Sequence, residues 1–162
     1  MTTLVLVRHA KSDWGDPGLD DHDRPLNSRG LRDAPAAARR LAATGLRLDA
    51  LLSSTALRAR TTAGFFGATL GLEPELDPDL YGAPAAKLLS AAGARGRAGA
   101  DGVVIVAHDP GMTVLAEHLS GGAIGHMPTC AVATFQWETP DWEVATATDP
   151  DSWSFDAPGH AR

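Results

Sequence analysis

The sequence contains a single cysteine, Cys130, so no disulfide can form within the chain. It also lacks the paired Cys and Cys/His spacings that are typical of structural zinc sites, and we expect neither a metal nor a cofactor. No apolar segment approaches the about 20 residues that a helix needs to cross a bilayer. Residues 1–3 lead into an apolar run without the charged and apolar regions of a secretory signal. We therefore expect a soluble protein in a reducing compartment, the cytoplasm.

Positive charge is also scarce, because 14 Lys and Arg residues stand against 20 Asp and Glu residues, a net charge of -6. Nucleic acids and anionic membrane surfaces favour basic proteins, so neither is an expected partner. Any Lys and Arg side chains that bind a phosphate must therefore be clustered at one site. With 162 residues, the chain fits one domain, 1–162, that can bury a core without disulfides or metals. We expect one late edge strand and then a loosely ordered tail from about residue 150.

Apolar runs alternate with helical patterns along the chain. The first run, residues 4–7, does not alternate with polar residues, which is typical of a strand buried on both faces. Further strands are predicted at 48–53, 103–107 and 132–137, and helices at about 31–44, 56–70, 85–95 and 112–119. Asn27 or Ser28 is the expected cap of the first helix, and Pro35 weakens the prediction of its first turns. This order predicts an α/β fold, a three-layer αβα sandwich with a mainly parallel central sheet.

Polar residues follow three of the predicted strands. They are Arg8 and His9 after the first strand, Ser54 and Arg58 after the second, and His108 and Asp109 after the third. Because ligands bind at the carboxyl ends of parallel strands, we expect these side chains to meet in one crevice. Arg58 also lies near the start of a helix, where free N–H groups and the helix dipole favour an anion. Two guanidinium groups and two imidazoles in one place suit a phosphoryl group.

His9 is the natural nucleophile of such a pocket. An imidazole nitrogen can attack phosphorus and carry the phosphoryl group as a phosphohistidine. The attacking nitrogen must be unprotonated, and we expect the other ring nitrogen to donate to a backbone carbonyl. This scheme needs no metal.

Three motifs that contain these residues resemble the histidine phosphatase superfamily, the phosphoglycerate-mutase-like proteins. Residues 7–10 (VRHA) are similar to its RHG signature, with Ala in place of Gly. Residues 54–63 (STALRARTTA) resemble its S-x-x-x-R-A-x-x-T-A segment, and residues 106–110 (VAHDP) resemble its second-histidine motif. The small chain and the DRPL stretch at 23–26, followed by Gly30, are most similar to the SixA type of phosphohistidine phosphatase.

The resemblance implies a phosphoglycerate-mutase-like fold and roles for four residues. His9 would accept the phosphoryl group, Arg8 and Arg58 would clamp the phosphate, and His108 would donate to the transferring oxygens.

Three neighbouring residues have two interpretations each. Ser54 is expected to cap the following helix, to contact phosphate, or to do both. Lys11 and Arg24 are expected on the loop around the pocket mouth, where they contact substrate or are merely solvated. The four Trp residues are expected to fill the sheet and the tail rather than to stack on a ligand.

The general acid is left open by the sequence. Mutase-like members carry a Glu shortly before a Tyr-Gly pair, but Pro78 stands at that position here. The loss disfavours a mutase and favours a phosphoramidate substrate, because an imidazole leaves more readily than an alkoxide. Asp109 resembles the proton donor of the acid phosphatase branch and could equally cap the next helix. Asp77 and Asp79 are further candidates.

Together these features predict a metal-independent phosphohistidine phosphatase that acts on a phosphorylated protein through an intermediate on His9. In one alternative, Asp109 supplies the proton for hydrolysis of a small phosphorylated metabolite. In another, the pocket belongs to a binding module that holds a phosphorylated partner without turnover. A nucleophile at position 9 argues against the binding module, which needs donors only.

Overall fold

The computed structural model of the protein describes residues 1–159. Its strands are β1 (Thr2–Arg8), β2 (Ala50–Ser53), β3 (Pro74–Leu76), β4 (Gly102–Ala107), β5 (Val132–Trp137) and β6 (Ser152–Asp156). Its α-helices are α1 (Ser28–Ala43), α2 (Leu57–Leu70), α3 (Ala85–Arg97), α4 (Gly111–Leu119) and α5 (Trp142–Ala147). Two short 3-10 helices occupy Asp21–Asp23 and Pro78–Leu80.

The strands form one sheet in the order β3-β2-β4-β1-β5-β6. The first four of these strands run parallel to one another. Strand β5 pairs antiparallel with β1, and β6 pairs antiparallel with β5. The prediction of a mainly parallel sheet is therefore confirmed. Strand β1 is hydrogen-bonded on both edges, to β4 and to β5, and this central position explains its unbroken apolar run.

Helices cover both faces of the sheet. Leu4 and Leu6 of β1 pack with the buried side chains of α3, α4 and α5, whereas Val5 and Val7 pack with those of α1 and α2. Successive side chains of a strand point to opposite faces, so each core receives alternate residues. Each fully buried aliphatic side chain stabilises the fold by about 1.5–3 kcal/mol. The predicted three-layer αβα sandwich is confirmed, and the strand that leads to Arg8 lies at its centre.

Helix α1 begins with a cap that also fixes the chain after β1. Asn27 caps the helix, because its side-chain oxygen accepts a hydrogen bond from the Gly30 N–H at 2.9 Å. The Asn27 N–H in turn donates to the Lys11 carbonyl at 2.9 Å. A Cβ at Gly30 would lie 2.3 Å from the same carbonyl oxygen, so only glycine allows this approach. Pro35 lies inside the helix without ending it.

Two elements were absent from the sequence prediction. Strand β3 has three residues and lies at the sheet edge, and α5 is a six-residue helix. Trp142 of α5 is buried and donates its indole N–H to the Ala100 carbonyl, and Trp137 is buried in the sheet. Trp14 and Trp153 are exposed, so the expectation that all four tryptophans fill the sheet and the tail is wrong for these two.

The tail contains the predicted late edge strand, because Ser152–Asp156 pair with β5 at the edge of the sheet. This pairing also means that the chain is ordered beyond residue 150, where we expected loose order. The last part of the predicted loose tail, 160–162, lies outside the described residues. Within 1–159, no helix combines the length and apolarity required to cross a membrane.

Candidate active site

Three parallel strand ends meet at one edge of the sheet. Arg8, the last residue of β1, is level with Ala107 of β4, and the His9 N–H donates to the Ala107 carbonyl at 3.1 Å. The Ser54 N–H donates to the Val106 carbonyl at 3.1 Å, so the chain leaving β2 ends beside the same strand. The pocket at this edge has a volume of about 220 Å³ and is lined by Arg8, His9, Lys11, Ser12, Trp14, Arg58, His108, Asp109 and Thr129. The predicted convergence of Arg8, His9, Arg58, His108 and Asp109 is thus present.

The His9 imidazole is held in one tautomer. Its Nδ1 lies 2.7 Å from the Ala10 carbonyl oxygen, which can only accept, so Nδ1 carries the proton and Nε2 has a free lone pair. Burial lowers the pKa of His9 to about 4, and the charges of Arg58 and Arg8 act in the same direction. Near neutral pH the ring is therefore uncharged, with Nε2 available as a nucleophile.

His108 is a second neutral imidazole, and Ser54 fixes its orientation. Its Nε2 lies 2.7 Å from the Ser54 hydroxyl oxygen, which also accepts from the Ala56 N–H at 3.2 Å. With the Ser54 hydroxyl as the donor to Nε2, the proton of the neutral His108 ring lies on Nδ1. Burial lowers the pKa of His108 to about 3, and the nearby His9 and Arg58 lower it further. Ser54 does not cap α2, whose first flanking residue is Ala56, and it positions His108 instead.

Arg8 and Asp109 form an ion pair at the back of the pocket. Arg8 donates through Nη1 to the Met127 carbonyl at 2.8 Å, and the same nitrogen lies 3.4 Å from the Asp109 carboxylate. Asp109 also accepts from the backbone N–H and the hydroxyl of Thr113, each at 2.9 Å. Asp109 thus accepts from an N–H of the first turn of α4, although the residue that flanks the helix is Pro110 rather than Asp109. The Asp109 carboxylate is therefore engaged by both Thr113 and Arg8.

Arg58 is held by an acidic residue that sequence reasoning did not select. Its Nη1 donates to the Asp21 backbone carbonyl at 2.6 Å, and its Nη2 donates to the Asp21 carboxylate at 2.9 Å. Tyr81 donates its hydroxyl to the same carboxylate. The Tyr81 hydrogen bond and then the Arg58 guanidinium lower the pKa of Asp21, whereas the carboxylate raises the pKa of Tyr81. Asp21 therefore orients Arg58 as an ionised partner; the acidic stretch 20–23, just before the DRPL motif, was the available signal.

The remaining acid candidates lie elsewhere. Asp77 accepts from the Asp79 N–H at 2.9 Å and so caps the short helix Pro78–Leu80. Asp79 is exposed and lies 3.8 Å from the Lys87 ammonium. Neither lines the pocket, so the structure does not bring Asp77 or Asp79 to the reacting group.

Lys11 and Arg24 differ in their position, because only Lys11 lines the pocket. Lys11 is exposed and lines the pocket, as predicted for a residue of its mouth. Arg24 is buried and donates to the carbonyls of Asp16 and Leu19 at 2.9 and 3.1 Å, so it holds the loop rather than the pocket wall. Its guanidinium carbon lies 4.1 Å from the ring centroid of Trp14, which does line the pocket.

Two buried donors of the pocket have no protein acceptor. Arg8 Nε and His108 Nδ1 make no hydrogen bond among the described residues. Leaving such groups unpaired costs about 1–3 kcal/mol each, which a bound oxyanion would recover. In residues 1–159 there is no cluster of three or more His, Cys, Asp or Glu side chains with the arrangement of a metal site. The pocket therefore has the donor set of a phosphate site.

The two histidines make stability depend on pH. Both are neutral in the folded protein, with pKa values well below the ordinary 6.5. As the pH falls below 6.5, these two histidines bind protons in the unfolded chain but not in the folded protein, so the free energy of unfolding decreases. We expect a loss of about 2 kcal/mol per histidine near pH 5, about 1.5 units below 6.5.

Denaturant titrations at pH 7.5 and pH 5 measure this loss. His9→Gln and His108→Gln should each make the pH dependence shallower. The exposed His118→Gln is the matched control and should leave it unchanged. An equal slope in all four proteins would contradict the lowered pKa values.

Comparison with known proteins agrees with this site. The sequence matches the profile of the histidine phosphatase superfamily (branch 1) over residues 4–82. An uncharacterised chloroplastic protein of Arabidopsis thaliana is 32% identical over 94% of this chain and 75% of its own. The structure is similar to that of a protein assigned as the phosphohistidine phosphatase SixA of Agrobacterium tumefaciens, with a TM-score of 0.77 and 27% identity over 97% of this chain and 99% of that one.

The corresponding protein of Nakamurella multipartitia has a TM-score of 0.85 and is 25% identical over 98% of this chain and 96% of its own. The profile contains the first two of the three sequence motifs, and the structural similarity extends over nearly the whole chain. The chain belongs to the histidine phosphatase superfamily, and its fold is that of the SixA structures.

Proposed function

We propose that the protein is a phosphohistidine phosphatase that removes the phosphoryl group from a histidine of a protein partner. The observation that carries the proposal is the His9 imidazole. Its Nδ1 donates to the Ala10 carbonyl, its low pKa keeps Nε2 unprotonated, and two arginines line the same pocket. The similarity to SixA structures supports the choice of a phosphohistidine substrate.

The reaction has two displacement steps. In the first, His9 Nε2 attacks phosphorus, the phosphorus–nitrogen bond of the substrate breaks, and the substrate imidazole departs with a proton from solvent. In the second, water attacks the phosphoryl group on His9, the Nε2–phosphorus bond breaks, and orthophosphate leaves. Arg8, Arg58 and the His108 Nδ1–H stabilise the charge that spreads over the phosphoryl oxygens.

The leaving group explains why the site can work without a dedicated acid. An alkoxide leaves poorly unless it is protonated, whereas an imidazole is a far better leaving group. The carboxylates near the pocket, Asp109 and Asp21, are both engaged as acceptors of several hydrogen bonds. The arrangement therefore favours a phosphoramidate over a phosphomonoester.

The pocket has no covering domain among the described residues. The chain between β2 and β4 contains α2, β3, a 3-10 helix and α3. Side chains of α2 and α3 belong to the two cores on opposite faces of the sheet, so neither helix forms a lid. A histidine on another protein can approach such a site.

The cytoplasmic location of this protein stays a prediction based on its single cysteine.

The test compares substrates under metal-chelating conditions. Phosphate release is measured from a phosphohistidine-bearing carrier protein, an aryl phosphate and a series of sugar phosphates. We expect rapid release from the carrier and at least about tenfold lower kcat/KM for the phosphomonoesters. A preference for a phosphomonoester would replace the proposal with the small-metabolite alternative.

Asp109→Asn distinguishes the two functions further. Asn keeps an oxygen that accepts from the Thr113 N–H but holds no transferable proton. If Asp109 only orients Arg8 and caps α4, the carrier should still be hydrolysed within about tenfold of the wild-type rate. A loss of about 100-fold or more, the range of general acid catalysis, would instead identify Asp109 as the proton donor. A binding module would bind the carrier and release no phosphate.

A further inference from the structure

Trp14 is an exposed aromatic side chain with an unusually fixed position. The side chain is 60% exposed although it lies in the wall of the phosphate pocket. Its indole N–H donates to the Ser12 hydroxyl at 2.8 Å. Because the ring is exposed and also lines the pocket, it is accessible to a ligand that binds there.

Arg24 explains how the indole is held. The Arg24 guanidinium lies 4.1 Å from the ring centroid and is itself anchored by the carbonyls of Asp16 and Leu19. Arg24 is only 7% exposed, so this support is part of the folded loop. A cation over one ring face stabilises the stack and limits the rotation of the indole. Because the guanidinium covers one face, the exposed area of Trp14 includes the opposite face.

The direction of the reaction leads the leaving group toward the open side of the pocket. Attack by His9 and departure of the leaving group are roughly in line. His9 is buried at 7% exposure, so a group opposite to it moves toward solvent. Tyr81 is the other exposed aromatic near the site, but its hydroxyl is bound to Asp21 and it does not line the pocket.

We propose that Trp14 is a specificity-determining residue on which the ring of the leaving group packs. The inference rests on the proposed function, for which that ring is the imidazole of a phosphohistidine. Arg24 is then a positioning residue that acts through Trp14, and this replaces its expected role in direct substrate binding. Aromatic pairs gain free energy beyond the area they bury, which suits a preference for ring-bearing phosphoryl compounds over ringless ones.

Two stable phosphonates test the inference without turnover. Benzylphosphonate carries a ring one methylene away from phosphorus, methylphosphonate carries no ring, and the phosphorus–carbon bond of both resists hydrolysis. Calorimetric Kd values are measured for the wild type, Trp14→Leu and Trp14→Phe. We expect the wild type to bind benzylphosphonate about tenfold more tightly than methylphosphonate, Trp14→Leu to lose this preference, and Trp14→Phe to keep part of it.

Trp153→Leu is the matched control. Trp153 is also an exposed tryptophan, but it lies in a separate apolar groove with Ile124 and Pro128. Its replacement should leave both Kd values unchanged. Wild-type binding of methylphosphonate with no ring preference would overturn the role of Trp14 alone. Failure to bind either phosphonate would overturn the phosphate site, and with it the proposed function.

Discussion

His9→Ala is expected to reduce phosphate release from a phosphohistidine-bearing protein by at least about 1,000-fold. The substitution removes the nitrogen that forms the covalent bond to phosphorus, and no neighbouring group replaces it. His108 is the nearest alternative imidazole, since the two ring centroids are 5.0 Å apart. Its Nε2 is bound to Ser54 and its Nδ1 carries a proton, so it presents no free lone pair.

The intermediate itself provides the sharper measurement. Wild-type protein quenched in alkali during turnover should carry a phosphoryl group on His9, located by peptide mass spectrometry. His9→Ala should carry none while it retains native circular dichroism, because an exchange of a buried polar ring for a methyl group leaves β1 paired on both edges. Turnover that persists in a folded His9→Ala protein would disprove covalent catalysis at this residue.

The second large effect is expected for Arg58→Ala, which should reduce kcat/KM by about 100- to 1,000-fold. The loss corresponds to about 3–4 kcal/mol of transition-state stabilisation, the usual consequence of removing one well-placed donor. Arg58→Lys should recover only part of it. A single ammonium can replace the charge but not the paired donors that the guanidinium directs at Asp21 and at the pocket.

Arg60→Ala is the matched control for Arg58→Ala. Arg60 lies on the same helix two residues later and is exposed. Its removal changes the net charge equally but should leave kcat/KM within about twofold, as expected for a screened surface charge. Equal losses in the two variants would show that general charge, rather than a placed donor, supports the reaction.

Much of the fold could be predicted because it depends on long, regular patterns. Strands β1, β4 and β5 are buried runs, and α1 has both an N-terminal cap and an apolar stripe. Short elements gave no such signal. In β3, Glu75 and Leu76 are exposed, and α5 is too short for helical periodicity to be distinguished from a turn.

The site also contains residues that could be predicted from the sequence and residues that could not. Arg8 was found because it ends a buried strand, and His9 and His108 because they directly follow one; such strand ends converge in a parallel sheet. Trp14 and Tyr81 lie outside helices and strands, and Asp21 begins a three-residue 3-10 helix, so no periodic pattern marks these residues. Their roles depend on distances across the fold, such as the 60 residues that separate Tyr81 from Asp21.

Because β1 lies at the centre of the sheet, the strand that leads to the nucleophile differs in stability from the loop that carries Trp14. Opening the nucleophile's strand means breaking its pairing with both β4 and β5, so amide hydrogens there should exchange only through global unfolding. The loop that supports Trp14, by contrast, belongs to no strand of the sheet, and the Arg24 side chain is one of its anchors. The chemistry therefore depends on the sheet, whereas selectivity for the leaving group can change through substitutions in this loop.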